Sequence, residues 1–267
     1  MNELVVTDTE PGKVDSGQGF AWWMQAWQLF MRAPLLWIVL AVAMVVLLVI
    51  LGAIPLLGQL AVPLLTPVLV AAWLLAAREV AAARTPTIEG IVAQVQARLT
   101  PLLILGAILL GAGIVMALIV GLLGFGAVVG GIASGAGESG TGIMAAIGVG
   151  LMALVLGLGM SVVIGIAFWF APALVMLRDA APVDAIKASV RGTLGNLPAF
   201  LLFGVVYLVA ALVASIPMGL GWILLMPMMM LTMHASFEDV FGPGVTPGTP
   251  AGGVPANPPE PPAPPAA

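Results

Sequence analysis

The feature that most constrains this chain is a set of long tracts without any charged residue. Residues 33–77, 99–137, 139–177 and 192–237 contain no Asp, Glu, Lys or Arg. Charged residues make up 7% of the 267 residues, whereas a soluble domain has roughly 25%. A globule with so little charge could not cover its own surface in water, so the sequence predicts that hydrocarbon surrounds most of the chain.

The apolar tracts are continuous rather than alternating, which favours transmembrane helices over the strands of a transmembrane barrel. At about 20 residues per crossing, the tracts predict an all-α, polytopic helical membrane protein with about six spans. The predicted spans are about Pro34–Ile54, Leu60–Ala77, Pro101–Leu123, a segment within Met144–Leu177, Pro198–Ile216 and Leu220–Ser236.

Composition divides the chain into a membrane domain and two tails. Residues 1–17 are polar and contain Pro and Gly, so we expect a disordered cytoplasmic tail. Residues 18–241 form the predicted six-span membrane domain. Residues 242–267 are rich in proline and nearly uncharged, which predicts a second disordered cytoplasmic tail.

Three short segments with an amphipathic pattern each precede a proline that opens a span. Apolar residues recur in each segment at a spacing of three, four and four, which forms one face of a helix. Two spans follow each segment, so the sequence predicts three parallel repeats of an amphipathic helix plus a helical hairpin, at about 18–82, 84–179 and 180–241. The alternative is that apolar helices resemble one another without a repeat. The three faces are Phe20, Trp23, Trp27 and Met31; Ile88, Ile91, Val95 and Leu99; and Val183, Ile186, Val190 and Leu194.

All the basic residues fall on one side of the six-span layout, and the opposite side carries only Glu138. By the positive-inside rule, this distribution places both termini in the cytoplasm. Helical spans without a transit-type leader favour a bacterial inner membrane. The eight basic residues are Lys13, Arg32, Arg78, Arg84, Arg98, Arg178, Lys187 and Arg191.

The chain shows no motif for catalysis, for a cofactor or for a metal. It has no cysteine and a single histidine, His234, so a thiolate nucleophile or a metal site with several His or Cys ligands is excluded. His234 and Glu238 are four residues apart and form a candidate interfacial pair. We expect no enzyme activity, no cofactor and no nucleic-acid partner.

The candidate contacts with lipid or with a protein partner lie on the cytoplasmic side. Arg178, Lys187 and Arg191 could attract anionic headgroups. Trp23 and Trp27 suit the headgroup layer, because an indole has an apolar body and a polar edge. The alternative for the three cations is an ordinary positively charged cytoplasmic loop.

The stretch from Pro172 to Gly204 resembles the recurring unit of YciC-like proteins and of the membrane domain attached to some glycerophosphoryl diester phosphodiesterases. Up to the closing residues 237–241, the chain is similar to a family of uncharacterised six-span proteobacterial inner-membrane proteins. These resemblances imply an architecture and no activity, because the catalytic domain of the phosphodiesterase has no counterpart in this chain. The residues that carry the first resemblance are Pro172, Val175, Ala185, Ser189 and Asn196.

We therefore expect a non-enzymatic integral membrane protein that meets the lipid bilayer, anionic lipid or a membrane-protein partner through its cytoplasmic amphipathic segments. One alternative is a passive transporter or channel for a small neutral or lipid-like molecule. A membrane enzyme is a third possibility, and it rests on His234 and the phosphodiesterase resemblance alone.

Overall fold

The computed structural model describes residues 10–133, 140–242 and 250–251. Helices dominate this part of the chain, which confirms the prediction of an all-α fold, and two short strands, β1 (Lys13–Val14) and β2 (Pro250–Ala251), pair in parallel. The helices are α1 (Gln18–Arg32), α2 (Pro34–Gly52), α3 (Leu57–Ala81), α4 (Ile88–Ala97), α5 (Leu99–Ala133), α6 (Gly140–Phe168), α7 (Ala171–Arg178), α8 (Pro182–Gly195), α9 (Leu197–Ser215) and α10 (Trp222–Phe241).

Five segments of the described part are long and apolar enough to cross a membrane. They coincide with the first five predicted spans, and the fourth runs through α6 and α7. The last helix, α10, is less apolar because its second half contains His234, Glu238 and Asp239. The five segments are Pro34–Gly52, Leu57–Ala81, Leu99–Gly126, Ile147–Arg178 and Leu197–Ser215.

Proline and threonine set several of the helix starts. Pro34 and Pro182 are the first residues of α2 and α8, where a proline lacks only an N–H that would have no partner within the helix. Thr87 caps α4, because its Oγ1 accepts a hydrogen bond from the backbone N–H of Gly90 at 3.3 Å. The short helices α1, α4 and α8 are each followed by two longer helical segments.

The bundle is built around α3, which packs against α2, α4, α5, α7 and α10. Helix α1 packs against α9 and α10. The largest fully buried side chains lie near the helix ends that carry charged residues, and they include Trp22, Trp37, Leu74, Phe170 and Phe237. Helix α5 packs against α3 and α6, and α6 packs against α5 and α8, but none of the residues 111–126 and 147–165 is buried.

Residues 10–17 are held against the bundle, in contrast to the predicted disordered tail over 1–17. The backbone N–H of Gly12 donates to the Val240 carbonyl at 2.8 Å, and the N–H of Val14 donates to Asn196 Oδ1 at 2.8 Å. Asn196 Nδ2 returns a hydrogen bond to the Gly12 carbonyl at 2.9 Å. Residues 1–9, Glu138 and most of the predicted tail at 242–267 lie outside the described residues.

Candidate lipid-facing surface at the charged end

The ends of α1, α3, α7 and α10 meet in one layer together with α4 and α8, and we call this layer the charged end. Arg32 Nη1, at the end of α1, donates to the carbonyl of Ala81 at the end of α3 at 3.1 Å. The guanidinium of Arg178, at the end of α7, donates to the carbonyl of Phe241 at the end of α10. Such contacts between helix ends bring the scattered cations of the sequence to one side of the bundle.

Two acidic residues at the end of α10 are partly buried in the charged end. Asp239 Oδ2 accepts hydrogen bonds from Trp22 Nε1 at 2.8 Å and from Gln18 Nε2 at 3.2 Å. Burial raises the pKa of Asp239, and the hydrogen bonds from Trp22 and Gln25 oppose that shift. Burial likewise raises the pKa of Glu238, against the opposing charges of nearby arginines. Asp239 was missed from the sequence because no spacing links it to α1.

The structure separates the three predicted cations. Lys187 and Arg191 are exposed on α8, and Lys187 Nζ lies 3.5 Å from Asp184 Oδ1 across one turn. Arg98 forms an ion pair with Asp179, beside Arg178 in the chain. Because Arg178 holds the carbonyl of Phe241, it joins two helix ends, whereas Lys187 and Arg191 present their charges outward.

The two predicted interfacial tryptophans have different surroundings. Trp23 is 9% exposed and stacks on Phe203 and Tyr207 of α9, with ring centroids 5.7 and 6.5 Å away. Trp27 is 44% exposed and stacks on Phe30 of its own helix at 5.8 Å. Trp23 therefore belongs to the protein interior, and of the two rings only Trp27 has a face available to lipid or to a partner.

The predicted pair of His234 and Glu238 is not formed. His234 is 6% exposed, its Nδ1 has no hydrogen-bond partner, and no hydrogen bond or ion pair joins it to Glu238 within the described residues. The imidazole of His234 is therefore buried in the protein interior and does not lie at a membrane interface. The described part of the chain also has no group of three His, Cys, Asp or Glu side chains that could hold a metal ion.

The short helices α1, α4 and α8 turn large apolar side chains away from the bundle. Three of the four predicted residues on α1 face outward, and Ile88 on α4 is 78% exposed. Helix α8 buries small residues such as Ala185, Ala188 and Ser189, and exposes Val183 and Leu194. Of the twelve residues on the predicted apolar faces, seven are therefore exposed, Ile91, Ile186 and Val190 are partly buried, and Trp23 and Val95 are buried.

Two spaces open beside α2 and α3, one bordered also by the end of α1 and the loop before α4, and the other bordered also by α4. The first, which we call the mouth, has a volume of about 440 Å³ at the charged end. The second, which we call the cleft, has a volume of about 270 Å³ and is lined almost entirely by apolar atoms. The mouth is lined chiefly by Arg32, Leu36, Val80, Arg84 and Pro86, and the cleft chiefly by Leu40, Met44, Trp73, Ala76, Ile88 and Ile91.

Comparison with known proteins assigns the chain to a family without assigning a function. The family model described as a domain of unknown function, DUF7847, matches residues 24–257, and the chain belongs to this family. No curated protein and no solved structure matches the chain. The match runs from within α1 through α10 and into the residues that follow it.

Proposed function

We propose that this member of the DUF7847 family is a non-enzymatic, multi-pass protein of a bacterial inner membrane that gathers anionic lipid around its charged end. The observation that carries the proposal is the coincidence of two features in one layer. Outward apolar side chains on α1, α4 and α8 occupy the same end of the bundle as all eight Lys and Arg residues. An interfacial helix binds a membrane through this combination of buried apolar area and attraction to anionic headgroups.

In this proposal the charged end lies at the cytoplasmic headgroup layer, with both termini in the cytoplasm. The positive-inside rule supports this orientation, because the described loops at the other end of the bundle carry no Lys or Arg. Trp27 and the apolar residues of α4 and α8 then reach the boundary of the acyl chains. Lys187 and Arg191 lie above them at phosphate level, where each cation contributes about 1 kcal/mol of attraction.

We propose further that α10 supplies a sixth span and that the chain consists of three parallel repeats. The predicted span Leu220–Ser236 has 17 residues, at the lower end of the range for a helical crossing, and Glu238 and Asp239 follow it at the charged end. The recurring order of one short helix and two longer helical segments supports the repeat. So do Pro67, Pro172 and Pro227, which are all buried and precede a charged helix end.

The test measures which lipids the protein selects for its immediate surroundings. The full chain is reconstituted in bilayers that contain spin-labelled phosphatidylglycerol or phosphatidylcholine, and the motionally restricted fraction of each label is compared. We expect the wild type to favour phosphatidylglycerol, and K187Q/R191Q to lower that preference by about half. The charge-conserving control K187R/R191K should keep it. Equal preference in K187Q/R191Q and the wild type would count against the proposal.

A further inference from the structure

Helix α10 carries three methionines on one face in its first half. Met226 lies three residues before Met229 and four residues before Met230, so it is a neighbour of both on the helix surface. The Cβ atoms of such neighbours are about 5–6 Å apart. Because each sulfur lies two bonds beyond its Cβ on an unbranched, flexible side chain, the three thioethers can converge on one point beside the helix.

These three side chains line a single cavity between α2, α9 and α10, which we call the methionine pocket. The pocket has a volume of about 430 Å³, and Val45 of α2 and Tyr207 of α9 contribute its other walls. Gly219 and Trp222, before and at the start of α10, line it as well, which places it away from the charged end. Trp222 is 43% exposed and Ile223 is 37% exposed, so the pocket can be entered from outside the bundle.

The pocket methionines differ in their surroundings from two other methionines of the same helix. Met228 and Met233 are 6% and 7% exposed and belong to the packed core, where a flexible thioether fills irregular gaps. Met226, Met229 and Met230 are only partly buried and border the open cavity. Their side chains are therefore accessible to a ligand, whereas those of Met228 and Met233 are not.

The chemistry of this donor set selects one kind of metal ion. A thioether is a neutral and soft ligand, which suits Cu(I). Among the described residues that line the pocket, none carries a carboxylate, an imidazole or a thiol, and these are the side-chain groups that bind zinc, calcium or magnesium. A soft ion with a single charge also costs less to bring into an apolar site than a divalent ion does.

The surroundings of the pocket favour a cation in two further ways. Trp222 lies one turn before Met226 and lines the same pocket, and the face of an indole ring attracts a cation. The described loops at this end of the bundle, residues 53–56 and 216–221, carry no Lys or Arg that would repel one.

We propose that the methionine pocket binds one Cu(I) ion through the thioether sulfurs of Met226, Met229 and Met230. The ion enters beside Trp222 and Ile223, and binding forms three metal–sulfur bonds without transfer of an electron or a proton. This site is separate from the proposed function, because no residue of the charged end takes part in it.

The test measures the affinity of the full chain, purified in detergent, for Cu(I) in the absence of oxygen and in competition with a colorimetric Cu(I) chelator. We expect one Cu(I) per chain. M226L, M229L and M230L each remove one sulfur and keep an apolar side chain of similar volume. Each should weaken binding at least about tenfold, because losing a residue that only orients a metal ligand already costs about 10–100-fold. The triple variant M226L/M229L/M230L should abolish binding.

The matched control is M228L, which makes the same chemical change on the same helix but outside the pocket, and it should keep the affinity of the wild type. Gel filtration and circular dichroism establish that each variant is folded. Cu(I) binding that persists in the triple variant overturns the proposal, as does an equal loss of affinity in M228L.

The identity of the ligands and of the metal gives a second test. X-ray absorption at the copper edge should show sulfur ligands, and a spectrum with nitrogen or oxygen ligands alone overturns the proposal. Ag(I), a soft ion with the same charge, should displace Cu(I), whereas displacement by zinc would contradict the selectivity expected of thioethers. K187Q/R191Q should bind Cu(I) like the wild type, so this site and the lipid preference of the charged end can fail independently.

Discussion

Helices α2 and α3 are neighbours in the chain, but they have opposite relations to the core. The most apolar window of α2 has a mean hydropathy of 3.2, and 11% of its residues are buried. The corresponding window of α3 has a mean hydropathy of 2.2, and 44% of its residues are buried. The most apolar window of the segment through α6 and α7 resembles that of α2, because its mean hydropathy is 2.5 and 6% of its residues are buried. In this bundle the less apolar helix is the inner one, which is the reverse of the order in a soluble protein.

The difference between α2 and α3 follows from the solvent. In lipid, an apolar side chain gains little by leaving hydrocarbon for the protein interior, so burial is driven by close packing and by polar groups that need partners. Helix α3 buries an inner stripe of Pro67, Ala71, Leu74 and Ala77 at helical spacing. Helix α2 consists mainly of large aliphatic residues that lipid solvates equally well.

The close contact between α3 and α5 tests how tightly the inner helix is packed. A Cβ on Gly106 of α5 would overlap the carbonyl oxygen of Leu64 on α3, whereas a Cβ on Gly113, seven residues along the same helix, meets nothing within 4 Å. We expect G106A to destabilise the fold by about 3 kcal/mol, since backbone cannot yield as a side chain can. G113A should stay within about 0.5 kcal/mol. Thermal unfolding in detergent measures both, and equal melting temperatures would contradict the close packing.

The next largest effect compares two leucines directly. Leu74 of α3 is fully buried, and Leu118 of α5 is 66% exposed. L74A should cost about 2 kcal/mol, at the low end of the range for such changes, because the cavity term remains while the transfer term is small in lipid. L118A should have almost no effect on stability. A similar loss in both variants would show that exposure to lipid does not decide the cost.

Much of the fold could be predicted from the sequence, because charge and proline mark the boundaries of spans independently of tertiary contacts. The uncharged tracts predict the five segments that are apolar enough to cross a membrane, and Pro34 predicts the start of α2. The sixth span was harder to place. Helix α10 has 20 residues, but His234, Glu238 and Asp239 at its end lower its mean hydropathy.

The direction in which each apolar face points could not be predicted, since both lipid and protein interior accept the same side chains. Trp23 and Trp27 lie on one predicted face of α1, yet Trp23 stacks on α9 while Trp27 faces outward. The contacts that organise the charged end join residues far apart in the chain, such as Val14 with Asn196 and Trp22 with Asp239. A local sequence pattern cannot predict contacts between residues so far apart in the chain. The cleft beside Trp73 is lined by residues of three helices and was not predicted either.

The smallest expected loss of stability comes from replacing Asp239. It tests whether partly buried polar groups stabilise the packing at the charged end. D239A removes the acceptor for Trp22 Nε1 and leaves that donor unsatisfied, so it should destabilise the fold by about 1–2 kcal/mol. D239N keeps an acceptor oxygen and should cost less. The control D184N, on the exposed side of α8, should change stability by less than about 0.5 kcal/mol.

The pH dependence of the stability of D239N is a second test of the burial of Asp239. Because burial raises the pKa of Asp239 in the folded protein, the stabilisation from its protonated form is fully present below the unfolded pKa of about 3.9. That stabilisation is lost as the pH rises through the folded pKa. D239N should flatten this decline without abolishing it, since burial raises the pKa of Glu238 in the same direction. Melting curves in detergent across this pH range measure the slope, and an unchanged slope in D239N would mean that Asp239 is solvated like an ordinary surface carboxylate.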